Sequence, residues 1–525
     1  MTIDARATLP ALLAQRAASD AGKLFLQEVG GASATYAQMH ELGLRWAAAL
    51  RRYGVGPSET VASMLDNCLD GGGLWMGLCW LRAIEVPLST MLKGALLAHT
   101  LNLSRAKVLV TDAEHLTVLE AAHDSLNHLS TIILRSGQAP VESAFTILSR
   151  DEFLEGAAPL VDVQPPQARD IATIMYTSGT TGASKAAMVP WGYLIKCAEV
   201  QCLAGVCEAD VFYHTGAANH AGTRANLLTA AYLGAAVVMR PSFKTKEFWS
   251  DVERYGCTYT SLLGAMTHFL LGEPPSASDA SSPLRLATMV PVHPEYRAFE
   301  QRFGVKLTST YGSTEVPGVI TWGAEPIDDP KSCGRARDGF ELRIVDEHDY
   351  ETPVGQMGEL VVRARDPWSL ALGYLGMPDK TVEAWRNGWF HTGDAFRLDD
   401  LGRYYFVDRI KDAIRRRGEN VSSVEVEVEV NSHPDVAECA VVGVPADELE
   451  EEIKVFVVPK SGSRVEPEDL IRFLMARMPR YMVPRYVEVV SALPKTPSLR
   501  VKKAELKAKA PGDVWDRVAA GILIS

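Results

Sequence analysis

Residues 176–185 read YTSGTTGASK: Gly179 and Gly182 free the backbone, Thr177, Ser178, Thr180, Thr181 and Ser184 supply hydroxyls, and Lys185 supplies a cation. Backbone amides, hydroxyl donors and an ammonium are the groups that phosphate oxygens require. The spacing is not that of a Walker A loop, whose second glycine is followed directly by lysine. By composition alone the stretch also suits a polar surface turn. The apolar run at 171–176 (IATIMY) reads as a strand, so the loop would leave the end of a buried strand.

Further segments follow in order: Tyr311-Gly312-Ser313-Thr314-Glu315, His391-Thr392-Gly393-Asp394, Val407-Asp408-Arg409-Ile410-Lys411-Asp412 and Arg416-Arg417-Gly418-Glu419-Asn420-Val421-Ser422. Together with the 176–185 loop they make the chain resemble the adenylate-forming superfamily of acyl-CoA synthetases, luciferases and peptide-synthetase adenylation domains, from about residue 20 to about residue 510. The 416–422 loop is most similar to the carnitine and crotonobetaine CoA ligase branch. The resemblance implies an α/β multidomain fold: a large N-terminal AMP-binding domain over 1–408, made of two α/β subdomains and a β-rich one, and a small mobile α+β C-terminal domain over 409–525. It also implies two half-reactions. A carboxylic acid joins the α-phosphate of ATP with release of pyrophosphate, and the acyl group then passes from AMP to the thiol of CoA.

Roles follow residue by residue from that resemblance. Glu315 would be the Mg2+ ligand, a hard oxygen donor suited to that ion. Ser178, Thr180, Thr181 and Lys185, with Thr177 and Gly179, would hold the phosphates, although the family's proline before the lysine and glycine after it are Ser184 and Ala186 here. Tyr311 offers an aromatic face to adenine, flanked by Thr310 and Thr314. Asp394 would accept the ribose hydroxyls and Arg409 would help to hold the sugar. Lys411 would be the hinge, and Gly418 would line the pantetheine tunnel. Arg415 and Arg416 suit either the phosphates of CoA or a solvated face. His220, Gly264, His293 and Gly312 would border the acyl pocket, whose wall at 289–293 (MVPVH) departs from the family's glycine-rich run.

One departure touches the chemistry. Where the family reads Pro-x-Thr-x-x-Gly-Lys, this chain has Pro494-Lys495-Thr496-Pro497-Ser498-Leu499-Arg500. The family's lysine bridges the carboxylate and the α-phosphate region during adenylation. A planar, five-donor guanidinium is a different object from a compact ammonium, and Leu499 penalises any positive φ that the glycine supplied. The expectation is that adenylation is impaired or lost while transfer from a supplied acyl-adenylate to CoA survives, with a partner ligase making the adenylate. The alternatives are that Arg500 does the lysine's work, or that Lys495, Lys502 or Lys503 replaces it, leaving a complete ATP-dependent acid–CoA ligase. An adenylating enzyme that loads a carrier protein is a further alternative, and a catalytically silent scaffold is disfavoured by the retention of Glu315, Asp394 and Arg409.

Hydrophobic patterns of both periods alternate along the chain, as an α/β protein requires. Residues 37–52 read as an amphipathic helix ending before Gly54, and 107–111, 171–176, 236–239, 440–444 and 454–458 read as strands. Residues 424–430 (VEVEVEV) conflict: the period of two predicts a strand, whereas Ser422 three residues before Glu425 has the spacing of a helix capping box. The pattern favours the strand, and the resemblance implies a helix.

The net charge is −12, from 53 basic and 65 acidic residues, which disfavours nucleic acid and anionic membranes as partners. That average hides a basic tail of Lys495, Arg500, Lys502, Lys503, Lys507 and Lys509. The 8 cysteines include no Cys-x-x-Cys pair, so a reducing cytoplasm is expected and no disulfide framework. The most apolar stretch, 74–88, is broken by Arg82 and Glu85, and no membrane span or secretory leader is expected. Expected partners are a small carboxylic acid or its adenylate, ATP and CoA; a homo-oligomer is compatible with this reading.

Overall fold

The computed structural model describes residues 3–177, 185–410, 412, 414–416, 419–446, 451–496, 500–508 and 514–522. These fall into two compact units. The larger draws on 1–177, 183–341 and 363–386, and the smaller on 342–362 and 387–525.

The larger unit holds two seven-stranded sheets of the same plan. One runs, edge to edge, Lys306–Thr308, Leu286–Val290, Tyr259–Leu263, Val211–His214, Ala236–Met239, Leu24–Glu28 and Ser33–Thr35. The other runs Thr146–Ser149, Thr131–Leu134, Val108–Thr111, Thr60–Met64, Ile84–Pro87, Ile171–Thr177 and Lys185–Pro190. In each, every pairing is parallel except the last, which is antiparallel. Parallel strands covered on both faces should be nearly continuous in apolar residues. The segments VLVT, TIIL and AVVM are so.

The helix expected at 37–52 is Tyr36–Arg52, opened by a capping box between Thr35 and Gln38 and closed with Arg51 and Arg52 in its last turn, where cations suit the helix dipole. It packs on the helix Leu69–Trp80, whose glycines permit the approach. A Cβ on Gly77 would lie 2.7 Å from the Trp46 Cβ and 2.8 Å from the Ala47 nitrogen, closer than any real contact. Trp75 of the same helix stacks on Trp191 at 5.4 Å and donates its indole N–H to the Ala172 carbonyl at 3.1 Å. The apolar stretch at 74–88 is thus the end of a core helix followed by the strand Ile84–Pro87. Among the described residues no helix is long and apolar enough to cross a membrane.

A buried ion pair ties that strand to the helix Ala221–Leu233. Arg224 Nη2 and Glu85 Oε2 are 2.6 Å apart, with side chains 5% and 1% exposed. Ser63 Oγ donates to Glu85 Oε1 at 2.9 Å, and the Trp75 ring lies 4.7 Å under the guanidinium.

In the smaller unit, Phe390–Leu398 and Arg403–Arg409 form an antiparallel hairpin beside Gly358–Ala364. A separate sheet orders Val436–Pro445, Glu451–Pro459, Tyr486–Val489 and Trp515–Asp516, and contains the strands expected at 440–444 and 454–458. The strand read from the alternation at 424–430 is corrected: Ser423–Asn431 is a helix. Four hydrogen bonds decide it. Ser422 Oγ accepts the Glu425 N–H at 3.1 Å, the carboxylate of Asp408 accepts both the N–H and the hydroxyl of Ser423 at 2.6 Å, and Ser422 Oγ donates to the Val407 carbonyl at 2.6 Å. One helical turn apart, Val426 and Val430 are then buried while Val428 stays exposed. Glu427 is half-buried, and Lys503 pairs with it at 2.8 Å. All eight cysteines are free.

Candidate active site

In the larger unit the strand expected before the 176–185 loop is Ile171–Thr177, and the chain returns from the loop as a second strand, Lys185–Pro190, with Thr177 paired to Lys185. Ser178, Gly179, Thr180, Thr181 and Ser184 lie outside the described residues. Lys185 opens its strand, and its ammonium stands 4.6 Å over the Tyr374 ring.

Tyr374 joins the loop to the second motif. Its hydroxyl donates to Glu315 Oε1 at 2.9 Å, while Ser313 Oγ donates to Oε2 at 3.0 Å. Glu315 follows the short strand Thr310–Tyr311, in a turn where Ser313 Oγ also accepts the N–H groups of Glu315 and Val316, each at 3.2 Å. From below, the buried Tyr193 donates to the Ser313 carbonyl at 2.6 Å. Gly312 is required by the tightness of the turn, since a Cβ there would meet the Val316 carbonyl oxygen at 2.9 Å. The Thr310 hydroxyl donates to the Ile320 carbonyl at 2.9 Å, and Tyr311 and Thr314 are half-buried.

Each Glu315 oxygen thus accepts one hydrogen bond and keeps further lone-pair capacity. A hard cation fits such a carboxylate. Among the described residues no group of three or more His, Cys, Asp or Glu forms a cage for a metal. Mg2+ held by Glu315 would take its other oxygens from water and bound phosphates, which is its usual habit.

Three of the expected pocket residues stand where parallel strands end, the edge at which open α/β sheets bind ligands. Gly264 follows Tyr259–Leu263 and opens the helix Gly264–Gly272. His293 follows Leu286–Val290; its Nδ1 accepts the Glu295 N–H at 3.1 Å, and the His268 ring lies 6.0 Å away. Burial, with a contribution from His268, pulls the pKa of His293 below its ordinary value against the opposing charge of Glu295. His220 is exposed at the start of the helix Ala221–Leu233. Beneath it lies a histidine that motif spacing did not single out: His214 is bound by Thr223 at 2.9 Å and Asn226 at 2.8 Å, and burial, then the Arg224 charge, lowers its pKa to about 4.

The smaller unit brings together three further expected residues. Asp394 and Arg409 are cross-strand partners, with Arg409 Nε 2.7 Å from Asp394 Oδ1. Arg500 is exposed by surface area. Its charge is nonetheless disfavoured, chiefly by desolvation and then by Arg409, against the attraction of Asp394. It remains a cation, as arginine does in proteins. The Arg500 N–H donates to Thr496 Oγ1 at 3.1 Å, and the Arg500 carbonyl accepts the Thr496 N–H at 2.7 Å. The neighbouring lysines are committed elsewhere: Lys495 to Glu438, Lys502 to Glu505 at 2.7 Å, and Lys503 to Glu427 and Ser423. Lys411, Gly418 and Leu499 lie outside the described residues.

Two parallel sheets with a lysine and a carboxylate near their strand ends in the larger unit, and a separate Asp–Arg pair in the smaller one, are the parts of an α/β enzyme of the adenylate-forming architecture. Residues 13–375 match the AMP-binding enzyme model and 425–500 match the AMP-binding enzyme C-terminal domain. The chain therefore belongs to the AMP-binding enzyme family, among its acyl-CoA ligases. Similar chains include the crotonobetaine/carnitine–CoA ligases of Shigella sonnei (strain Ss046), 32% identical over 86% of this chain and 89% of that one, and of Escherichia coli O8 (strain IAI1), 32% identical over 90% and 93%. Among solved structures, the anthranilate CoA ligase AuaEII in complex with anthranoyl-AMP superposes with a TM-score of 0.86 at 26% identity, over 95% of this chain and 96% of that one. ATP-bound MatB from Rhodopseudomonas palustris shares the fold, with a TM-score of 0.84 at 24% identity over 96% and 98%.

Proposed function

We propose that the protein is a complete ATP-dependent carboxylic acid–CoA ligase. The carboxylate oxygen attacks the α-phosphorus of ATP and the bond to pyrophosphate breaks. The thiol sulfur of CoA then attacks the acyl carbon, the carbon–oxygen bond to AMP breaks, and the thiol proton passes to solvent. The observation that carries this reading over transfer alone is the setting of Arg500. The described lysines next to it are each paired with a glutamate, whereas the charge of Arg500 interacts with those of Asp394 and Arg409.

Each residue has one task in this reading. Asp394 and Arg409 hold the ribose, Tyr311 and Thr310 the base, and Lys185 with the 177–181 loop the phosphates. Glu315 holds Mg2+, which when bound offsets the charge of the triphosphate. Arg500 steadies the negative charge where carboxylate and phosphate approach. Gly418 admits the thiol arm, and the domain 409–525 turns about Lys411 between the two steps. The crotonobetaine/carnitine–CoA ligases and AuaEII support an acid and CoA as the substrates.

The test is pyrophosphate release by the wild-type protein with ATP, Mg2+, CoA and a panel of acids, beside AMP release from CoA and synthetic acyl-adenylates. Robust pyrophosphate release supports the complete cycle. AMP release from adenylates without any pyrophosphate release would instead favour the second reading, motivated by Leu499 and Arg500, in which a partner ligase supplies the adenylate.

Tyr374 gives a finer check. Tyr374→Phe removes the hydroxyl from Glu315 Oε1 and leaves the ring under Lys185, so ATP–pyrophosphate exchange should slow by about tenfold, in keeping with the loss of a hydrogen bond to a charged group. An unchanged exchange rate would remove Tyr374 from the positioning of Glu315.

A further inference from the structure

The face of the first sheet that leads to the expected acyl pocket carries one polar row where a parallel sheet is ordinarily apolar. On the strand Tyr259–Leu263, alternate residues share a face: Leu262 points into the core with Met289 and Phe248, so Tyr259, Ser261 and Leu263 face the other way. Ser261 pairs in register with Thr288, and Thr288 with Thr308, which places three hydroxyls side by side on adjacent strands. On the other flank Phe212 pairs with Tyr259 and Tyr213 with Thr260, so His214 follows at the level of Ser261. The hydroxyl of the buried Tyr259 reaches up into this row, 2.9 Å from Thr288 Oγ1 and 3.5 Å from Ser261 Oγ.

The row is open at the ligand-binding edge. Ser261 is exposed, Leu263 next along the strand is 40% exposed, and Thr288 and Val290 are half-buried. The strand Leu286–Val290 lies against Thr310–Tyr311, the strand that leads into Gly312 and Glu315. The Thr308 hydroxyl donates to the Gly323 carbonyl at 2.7 Å. Ser261 and Thr288 differ, because a hydroxyl holds one donor and two acceptor positions and their contact with Tyr259 leaves capacity over. No member of the row is an acid or a guanidinium, and His214 is neutral near pH 7 because burial holds its pKa low.

We infer that the acyl pocket reads an uncharged hydrogen-bonding group, a hydroxyl, carbonyl or amide, carried by the acid away from its carboxylate, with Ser261 and Thr288 as the specificity-determining residues. This rests on the ligase reading above. An alkyl chain laid on the row would displace water from hydroxyls and return no hydrogen bond, and sites built to bind a polar group reject analogues that lack it far more strongly than apolar sites reject an extra methylene. A second carboxylate would meet no cation in the row.

The experiment measures kcat/KM for CoA-dependent pyrophosphate release with matched short- and medium-chain acids in three series: alkanoic, hydroxy or oxo, and dicarboxylic. The hydroxy or oxo series should exceed its alkanoic partners by at least about tenfold. Ser261→Ala and Thr288→Val should each reduce that ratio several-fold. Preference for the alkanoic or dicarboxylic series, or a ratio unmoved by both variants, would overturn the inference and leave the ligase reading standing. No pyrophosphate from any series, with adenylates also unused, would overturn both.

Discussion

Arg500→Ala is expected to slow the adenylating half-reaction by about a hundredfold, while transfer of the acyl group from a preformed adenylate to CoA falls far less. The magnitude is that of removing one fixed group aimed at charge that develops in a transition state. The asymmetry comes from the chemistry: two anions must meet in the first step, whereas an acyl-adenylate is already activated and needs only the thiol. The lysines described beside Arg500 are directed away, Lys495 to Glu438, Lys502 to Glu505 and Lys503 to Glu427. Arg500→Lys keeps the charge on a different shape and should stay within about tenfold of wild type. ATP–pyrophosphate exchange measures the first step and AMP release from synthetic adenylate the second. Equal losses in both would mean that Arg500 serves the smaller unit's architecture and not adenylation.

Arg224→Ala should lower stability by about 3–5 kcal/mol, the cost of leaving a buried partner charge alone. Glu85 cannot reach water, and its remaining described hydrogen-bond donor would be the Ser63 hydroxyl. Burial already raises the pKa of Glu85, so the orphaned carboxyl would fold by taking up a proton, and the variant should lose more stability as pH rises. The double substitution Glu85→Leu with Arg224→Met should recover most of the loss, since an apolar pair of similar volume avoids desolvating charge. Urea unfolding followed by tryptophan fluorescence reads this directly, with Trp75 beside the guanidinium. An Arg224→Ala midpoint equal to wild type would show that the pair is hydrated and the site tolerant.

Much of this was legible in the amino-acid order where a single segment carries the signal. The helix Tyr36–Arg52 announced itself by its amphipathic period and its stop before Gly54, and the buried strands by their apolar runs. The motifs carrying Lys185, Glu315, Asp394 and Arg409 were legible as words. What the chain does not spell out is made by pairing at a distance. Tyr374 reaches Glu315 because residues 373–375 lie along the strand Lys185–Pro190, through Met188 N–H on the Gly373 carbonyl and Leu375 N–H on that of Ala186. Ser261 and Thr288 become neighbours only through parallel register. The helix Ser423–Asn431 overrode its alternating pattern because Asp408 and Val407, outside the window, hold its first turn, while Lys503, far along the chain, pairs with the half-buried Glu427.

That first turn has a bearing on timing. Lys411, the proposed pivot, lies between residues 407–408 and the helix bonded to them: Val407 and Asp408 take three hydrogen bonds from Ser422 and Ser423, two of them to a carboxylate. A turn at residue 411 that carries the helix away must part all three at once. In the proposed cycle the described arrangement would be a latched one, and a changeover from making the adenylate to spending it would have a catch to release, formed by a pair of adjacent serines.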